Sequence, residues 1–261
     1  MSLFIRSLMF RIWYWYISRI DADNEIVFMN YGYDDPNENI ILDPEDESNR
    51  YSIQLYHRLA AATELKDKHI LEVGCGRGGG LAYVKKTFSP SIAVGMDLED
   101  KAVKFANKHH ISEGLDFVQG DAHSLPFENN SFDAVLNVES SHRYQDMDLF
   151  LSEVSRVLKP DGYFLYTDFR FPSEMADLKR SLDLTDFKLI EEQNINANVT
   201  GALFKDSLRR KNLVKKLIPR FMQKTALNFA GVIDSDTYNQ ISAKNWLYYV
   251  YIYQKTGAKI T

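Results

Sequence analysis

The stretch Leu71-Glu72-Val73-Gly74-Cys75-Gly76-Arg77-Gly78-Gly79-Gly80 decides the fold. It joins a short apolar run to a segment with helical character, Gly78 to Phe88, and so predicts a turn from a buried strand into a helix. Glycines in such a turn let the backbone approach a ligand closely, and the start of the helix offers unpaired N–H groups. The stretch therefore indicates a ligand site at the end of the first strand.

Strands and helices alternate around this turn. The predicted strands are His69–Gly74, Ile92–Leu98, Leu115–Gln119, Phe132–Val138, Tyr163–Asp168, Phe187–Glu192 and Trp246–Gln254, and the predicted helices between the first five are Gly78–Phe88, Asp100–His110 and Asp148–Leu158. This alternation predicts an α/β fold, a Rossmann-like doubly wound sheet of about seven strands, mostly parallel, with helices on both faces. In such sheets, ligands bind at the carboxyl ends of the strands.

Two classes of ligand fit the glycine-rich turn. Its glycines follow the dinucleotide pattern, and Asp97 lies about twenty residues further on, so a nicotinamide enzyme is one interpretation. Glu72 argues against it, because a carboxylate beside a pyrophosphate is repelled. The same carboxylate suits a cationic amino group, and Asp121 follows the third strand, where it can accept the exocyclic amine of an adenine.

Six ordered segments resemble the class I S-adenosylmethionine-dependent methyltransferases. These are Leu71 to Gly78, Asp97, Gly120-Asp121-Ala122, Leu125-Pro126-Phe127, Ser131-Phe132-Asp133-Ala134-Val135 and Val157-Leu158-Lys159-Pro160-Asp161-Gly162. The resemblance implies S-adenosyl-L-methionine as the cofactor and a reversed last strand in the sheet.

The resemblance also implies roles for single residues. Glu72 and the loop Gly74-Cys75-Gly76-Arg77-Gly78 would hold the methionine part of the cofactor, and Asp97 would accept both ribose hydroxyls as charge-assisted hydrogen bonds. Leu98 would pack on the adenine, and Asp121 with Ala122 would bind its edge. A helix cap at Asp97 and a loop turn at Asp121 are the structural alternatives.

His142 is the candidate general base. It follows the fourth strand in Glu139-Ser140-Ser141-His142, on the ligand side, and a histidine suits the removal of a hydroxyl proton. Asp168, at the end of the fifth strand, could orient His142 or hold the acceptor hydroxyl. The alternatives are a histidine that only packs against the cofactor and a structural carboxylate. The other histidines lack partners at metal-ligand spacing, so no metal is expected.

A narrower resemblance spans about Tyr14 to Gln254. Seven segments are similar to the phthiotriol/phenolphthiotriol dimycocerosate methyltransferases. They are Trp13-Tyr14-Trp15-Tyr16, Asn24 to Tyr33, Asn49-Arg50, Leu55-Tyr56-His57-Arg58, Glu139 to His142, Asp168-Phe169-Arg170 and Gln193 to Ala197. More loosely, the chain resembles natural-product O-methyltransferases. Relatives of the sugar-modifying kind carry a second histidine where Arg143 stands. The resemblance implies that Tyr31 and Tyr33 belong to a segment that closes over the cofactor, and that Glu139 also binds the cofactor. Their alternative is ordinary core packing.

The expected activity is therefore O-methylation of a large, partly apolar natural product, such as a polyketide, a lipid or a glycosylated or peptide metabolite. Methylation of carbon or nitrogen on a sterol-like or other amphipathic acceptor is the alternative, and a cofactor-binding protein without catalysis is another. The acceptor could arrive free or on a carrier protein. Aromatic residues concentrate near both ends of the chain, which suggests the wall of an apolar acceptor pocket.

Composition narrows the partners. The net charge of −5 argues against a general nucleic-acid binder, and the single cysteine, Cys75, favours a reducing, cytoplasmic compartment. Residues 2–18 are apolar but interrupted by arginines and so predict no spanning helix. Three interpretations are open for residues 2–18: packing on the domain, packing on a second subunit as a homodimer, and peripheral contact with a membrane.

One domain is expected over residues 1–261. Its parts are an N-terminal helical or lid segment (1–50), the cofactor-binding core (51–192), an inserted helical lid over the acceptor (195–244) and the last strand (245–255). Within the insertion, residues 205–224 carry eight basic side chains and one acidic one, and Pro219 is expected to end their helix. A solvated face and contact with an anionic lipid or carrier surface are the two interpretations.

Overall fold

The structure is a computed structural model that describes residues 26–38 and 40–257. The predictions made for residues 2–18 fall outside these ranges. Among the described residues, no helix combines the length and apolar character needed to cross a bilayer.

A seven-stranded sheet forms the centre of the molecule. Its strands are β1 His69–Val73, β2 Ile92–Asp97, β3 Leu115–Gln119, β4 Phe132–Val138, β5 Leu158–Arg170, β6 Phe187–Asn194 and β7 Leu247–Lys255. They lie in the order β3-β2-β1-β4-β5-β7-β6, and only the pairings of β7 are antiparallel. The predicted Rossmann-like sheet with a reversed last strand is confirmed.

Helices cover both faces of the sheet. In chain order they are α1 Arg50–Ala60, α2 Gly79–Phe88, α3 Asp100–His109, α4 Met147–Val157, α5 Met175–Asp183, α6 Asn196–Leu217, α7 Gln223–Phe229 and α8 Asp236–Ser242. Because both faces are covered, the central strands are mostly apolar and buried on both sides rather than alternating. In β1, Ile70, Leu71 and Val73 are all fully buried.

The first five strands lie close to their predicted positions, with one difference in β5. The turn Pro160-Asp161-Gly162 was expected to precede this strand, yet β5 already begins at Leu158. The turn lies within β5 and shifts the register of its pairing with β4: Phe132 pairs with Leu158, whereas Ala134 pairs with Tyr163. Asp161 takes a left-handed backbone conformation there, with φ of 62°.

The segment between β6 and β7 forms α6, α7 and α8. Asn196, at the start of α6, fixes it to the sheet: its amide nitrogen donates to the carbonyls of Ile241 and Trp246, and its amide oxygen accepts the N–H of Tyr248. As predicted, the helix with the basic run ends before Pro219. The insertion therefore has a defined position beside the carboxyl end of β5.

Candidate active site

The glycine loop between β1 and α2 is built from backbone that side chains would disrupt. Gly74 has a φ of +78°, and a Cβ there would lie 2.4 Å from the Ser140 hydroxyl oxygen. Gly78 has a φ of +82°, and its Cβ would collide with the Phe117 ring. These positions require glycine, because an L side chain would be strained by its φ as well as by its neighbour.

Asp97, at the end of β2, holds this loop in place. Its Oδ2 accepts the Gly76 N–H at 2.8 Å, and its Oδ1 accepts the Glu99 N–H at 2.9 Å. Burial raises the pKa of Asp97, against the effect of these hydrogen bonds. A carboxylate offers about four acceptor sites, so it can still accept ligand hydroxyls.

A cavity of about 280 Å³ opens at the carboxyl ends of β1, β2 and β4. Eight of the residues predicted to bind the cofactor line it: Gly74, Cys75, Gly76, Asp97, Leu98, Asp121, Ala122 and Glu139. Leu98 is 58% exposed, which leaves its side chain available to a flat ligand. A backbone hydrogen bond from His123 lowers the pKa of Asp121, so that carboxylate is ionised.

The other predicted cofactor residues, Glu72, Gly78, Tyr31 and Tyr33, lie outside the cavity lining. Tyr33 is only 1% exposed and pairs its N–H with the Tyr51 carbonyl, so it occupies the core. Phe28 and Asn30, from the same segment, line the cavity instead. The segment covers the cavity, but through residues that precede Tyr31: Val27, Phe28, Met29 and Asn30.

Glu72 lies directly behind the cavity wall. Its Oε1 accepts a hydrogen bond from the Tyr56 hydroxyl at 2.7 Å, and Tyr56 lines the cavity. Its Oε2 is buried and has no partner among the described residues. Burial raises the pKa of Glu72 to about 7. A buried carboxylate with a vacant acceptor site fits a cationic ligand group, reached directly or through water.

Glu139 is a second buried carboxylate of the wall. It takes a left-handed conformation, with φ of 46°, and its Oε1 accepts the Tyr31 N–H at 2.7 Å. Burial raises the pKa of Glu139 to about 8. From the opposite side, the Arg210 guanidinium of α6 donates to the carbonyls of Asn30 and Tyr31. The N-terminal segment is therefore held between the core and the insertion.

His142 and Asp168 meet beside the cavity. The Nδ1 atom of His142 lies 2.8 Å from Oδ1 of Asp168, and the His142 N–H donates to Oδ2 at 2.8 Å. Both side chains are buried, with 6% and 1% of their surfaces exposed. Burial lowers the pKa of His142 to about 4, so the ring is neutral at neutral pH. This contact assigns a proton to Nδ1 and a lone pair to Nε2.

Asp168 has a full set of internal partners. Besides His142 it accepts hydrogen bonds from the Ser141 hydroxyl and the Phe169 N–H, and it forms an ion pair with Arg170 at 3.1 Å. Burial alone would raise the pKa of Asp168, but His142, Arg170 and these donors hold it well below its ordinary value. The geometry favours Asp168 as the group that orients His142 over a role in holding the acceptor.

Arg143 and a group of aromatic rings surround the histidine. The Nε atom of Arg143 donates to Nε2 of His142 at 3.2 Å, and Arg143 also lines the cavity. Phe169 stacks against His142 with ring centroids 4.3 Å apart, and Trp246 stacks on Phe169 at 4.9 Å. Tyr31 and Tyr248 lie 5.8 and 5.9 Å from the same ring. Aromatic residues from three distant parts of the sequence thus meet at Phe169, which contacts His142.

Sequence reasoning did not assign several residues of this site. Tyr56, Arg143 and Tyr144 line the cavity, and Phe28 and Asn30 cover it. Tyr56 sits on α1, ahead of every predicted strand, and only packing brings its hydroxyl to Glu72. The sole sequence signal for Tyr56 is its place in Leu55-Tyr56-His57-Arg58. This segment contributes to the narrower resemblance but implies no role for the tyrosine.

Comparison with known proteins identifies the family. A family model described as a methyltransferase domain matches residues 71–166. A fatty-acid O-methyltransferase of Mycolicibacterium smegmatis is 44% identical over 211 residues, 80% of this chain and 77% of that protein. The chain belongs to the S-adenosylmethionine-dependent methyltransferases. A phthiotriol/phenolphthiotriol dimycocerosates methyltransferase of Mycobacterium tuberculosis is 40% identical to this methyltransferase over 249 residues, 94% of this chain and 92% of that protein.

Solved structures agree with the methyltransferase fold. Geranyl diphosphate C-methyltransferase from Streptomyces coelicolor, in complex with Mg²⁺, geranyl diphosphate and S-adenosyl-L-homocysteine, superposes with a TM-score of 0.66 at 15% identity, covering 91% of this chain and 93% of that one. A putative sarcosine dimethylglycine methyltransferase from Galdieria sulphuraria gives 0.67 at 12% identity, covering 94% and 97%. Likeness at this level of identity extends to the fold alone.

The cofactor of this methyltransferase is S-adenosyl-L-methionine, and the residues present fit it. The vacant Oε2 of Glu72 suits a cationic amino group. Gly74 and Gly76 line the cavity without side chains, so the ligand can approach their backbone closely. Asp97, Leu98, Asp121 and Ala122 would hold the nucleoside part. When bound, the cofactor supplies an activated methyl group on its sulfonium.

Proposed function

We propose that this methyltransferase transfers the methyl group to a hydroxyl oxygen of a lipid-like acceptor, with His142 as general base. The hydrogen bond between His142 Nδ1 and Asp168 Oδ1 carries this proposal. It places the proton on Nδ1, leaves the lone pair on Nε2 and fixes the ring, as a proton-accepting imidazole requires. In the proposed step the hydroxyl oxygen forms a bond to the methyl carbon, the methyl–sulfur bond breaks, and the hydroxyl proton passes to Nε2.

The depressed pKa of His142 has two opposing effects on this step. A pKa of about 4 keeps the ring neutral and able to accept a proton. It also makes the ring a weak base in the resting state. The buried Asp168 carboxylate, which accepts the Nδ1–H, favours the charged ring, but burial outweighs this effect in the resting state. The acceptor hydroxyl replaces Arg143 as the partner of Nε2 in this proposal.

An apolar acceptor is supported by the rings around His142 and by the names of the relatives. Phe169 contacts the base, and Tyr31 and Trp246 contact Phe169; all three rings are only partly buried. Apolar ligands gain free energy by leaving water for such a surface, roughly 25 cal/mol per Å² of apolar area buried. One relative is named for fatty acids and the other for phthiotriol and phenolphthiotriol dimycocerosates.

Methylation of a fatty-acid carboxylate is the second candidate. The Arg143 guanidinium lines the cavity next to His142, where it could hold a carboxylate in a charge-assisted contact. A carboxylate is already ionised at neutral pH and needs no base. His142 would then be dispensable for the chemical step, which separates this candidate from the first.

Product analysis tests the proposal and the second candidate together. The protein is incubated with methyl-labelled S-adenosyl-L-methionine and either a long-chain diol or a long-chain fatty acid, and the products are examined by mass spectrometry and NMR. We expect a methyl ether from the diol. A methyl ester alone would favour the carboxylate candidate. A label on carbon or nitrogen would overturn O-methylation. Cofactor binding without turnover on a broad panel of acceptors would instead favour a cofactor-binding protein without catalysis.

A further inference from the structure

The outward face of α6 and the segment after it combine large apolar side chains with lysines. We call this the basic face, defined as Phe204, Leu208, Lys211, Lys215, Arg220, Phe221 and Lys224. On α6 the first four recur at spacings of four, three and four residues, which places them along one line of the helix. All seven side chains are exposed.

The apolar members of the basic face are unusually open to solvent. Phe204 is 61% exposed, Leu208 71% and Phe221 86%. Single exposed apolar residues are normal on protein surfaces. Here Phe204 and Leu208 share a face of α6 with lysines, and Phe221 follows in the next segment, while the opposite side of α6 is buried through Val199, Leu203 and Val214. The fold of the described residues therefore leaves these three side chains largely uncovered.

The charge on this face is positive although the chain as a whole carries a net charge of −5. The acidic member of the region, Asp206, is buried and paired with Arg209 and Arg210. Among residues 26–38 and 40–257, no carboxylate forms an ion pair with Lys211, Lys215 or Lys224. Their ammonium groups are therefore available to an anionic partner.

We propose that the basic face docks this methyltransferase on an anionic lipid bilayer. Phe204, Leu208 and Phe221 would enter the boundary between head groups and acyl chains, and the flanking lysines would meet lipid phosphates. Phe204 and Phe221 line neither of the two described clefts, and Leu208 lines one of them. Because the lysines of the basic face are positively charged, the complementary lipid head groups are anionic.

Vesicle co-sedimentation tests the docking independently of methyl transfer. The full chain is mixed with vesicles of phosphatidylcholine alone or of phosphatidylcholine with phosphatidylglycerol. We expect binding to the anionic vesicles that weakens at high salt. Phe204→Ser with Phe221→Ser, and separately Lys211→Glu with Lys215→Glu, should each weaken it about tenfold or more.

Matched controls use exposed residues elsewhere. Leu184→Ser with Ile111→Ser, at 70% and 88% exposure, and Lys66→Glu with Lys188→Glu should leave vesicle binding unchanged. Affinity for S-adenosyl-L-homocysteine shows that each variant is folded. Equal vesicle binding by wild type and both basic-face variants would overturn the proposal. So would absence of binding to anionic vesicles, or capture of an acidic acyl carrier protein in place of vesicles.

Discussion

His142 Nδ1 lies 2.8 Å from the Oδ1 atom of Asp168, and the other oxygen of the same carboxylate accepts the His142 backbone N–H. The histidine is thus fixed twice by one side chain. Such double fixation sets the ring orientation before an acceptor arrives, which is the condition for efficient proton transfer. The carboxylate itself is held by Arg170 and Ser141, so the whole arrangement is rigid.

Replacement of His142 should separate binding from turnover. In His142→Ala we expect turnover on a hydroxyl acceptor to fall about 10²- to 10⁴-fold, since general-base catalysis contributes that much. Calorimetry with S-adenosyl-L-homocysteine should give an affinity close to wild type, because His142 is absent from the cavity lining. His109→Ala, an exposed control, should be unchanged. Wild-type turnover in His142→Ala would refute the base assignment.

The pH profile should lack the limb that an ordinary histidine gives. The base acts in its neutral form, and burial lowers the pKa of His142 to about 4. At saturating cofactor and acceptor, turnover should therefore persist as pH falls through about 6.5 and decline only near its depressed pKa. A fall centred near 6.5 that disappears in His142→Asn would contradict this expectation.

Loss of Asp168 should destabilise the protein. Asp168→Ala would leave the buried Arg170 guanidinium without its ion-pair partner, and such an uncompensated buried charge costs about 3–5 kcal/mol. Urea unfolding measures the free energy of unfolding. Asp116→Ala, at an exposed position of β3, should change it by less than about 0.5 kcal/mol. Equal stability of the two variants would show that the Asp168 network contributes little.

Glu72 should weaken stability but favour cofactor binding. Its folded pKa of about 7 lies above its unfolded value of 4.5. The folded state therefore holds a proton that the unfolded state releases, and stability falls as pH rises from 4.5 to 7. In Glu72→Gln this loss is absent, so at about pH 8 the variant should be more stable than wild type by about 1–3 kcal/mol.

The same variant should bind S-adenosyl-L-homocysteine more weakly at about pH 8, because the ionised carboxylate is missing. Calorimetry and thermal unfolding at pH values on both sides of 7 measure the two effects, and Glu113→Gln is an exposed control. Unchanged affinity across this pH range in wild type would rule out an electrostatic role for Glu72 in binding.

A single methyl group at Gly74 should displace the glycine loop that borders the cofactor cavity. Gly74→Ala places a Cβ 2.4 Å from the Ser140 hydroxyl oxygen in a left-handed backbone conformation, which alone costs about 1–2 kcal/mol. We expect a lower melting temperature and at least about tenfold weaker binding of S-adenosyl-L-homocysteine. Gly257→Ala, where the nearest atom lies 3.7 Å away, should behave as wild type. Wild-type binding by Gly74→Ala would show that the loop relaxes freely.

The fold and the cofactor side of the site follow from local sequence. Alternating apolar strands and amphipathic helices determine a parallel sheet, and the carboxyl ends of its strands must lie at one edge. Gly74 and Asp97 lie at the carboxyl ends of predicted strands, and Asp121 follows shortly after another, so their meeting in one cavity needed no knowledge of packing. The backbone requirements at Gly74 and Gly78 are local in the same sense.

Tertiary structure alone decided which residues complete the site. Tyr56 reaches Glu72 across a sequence separation of 16 residues, and Tyr31 reaches Glu139 across 108. Tyr33 belongs to the core. The sequence does not reveal this, because a segment without periodicity does not show which of its aromatic residues turns inward. The set of polar contacts made by the Asp168 carboxylate is complete only because the fold places Ser141 and Arg170 beside it. Strand periodicity is a short-range property of the chain, whereas these contacts, and the depressed pKa of His142, depend on burial by segments that only packing brings near.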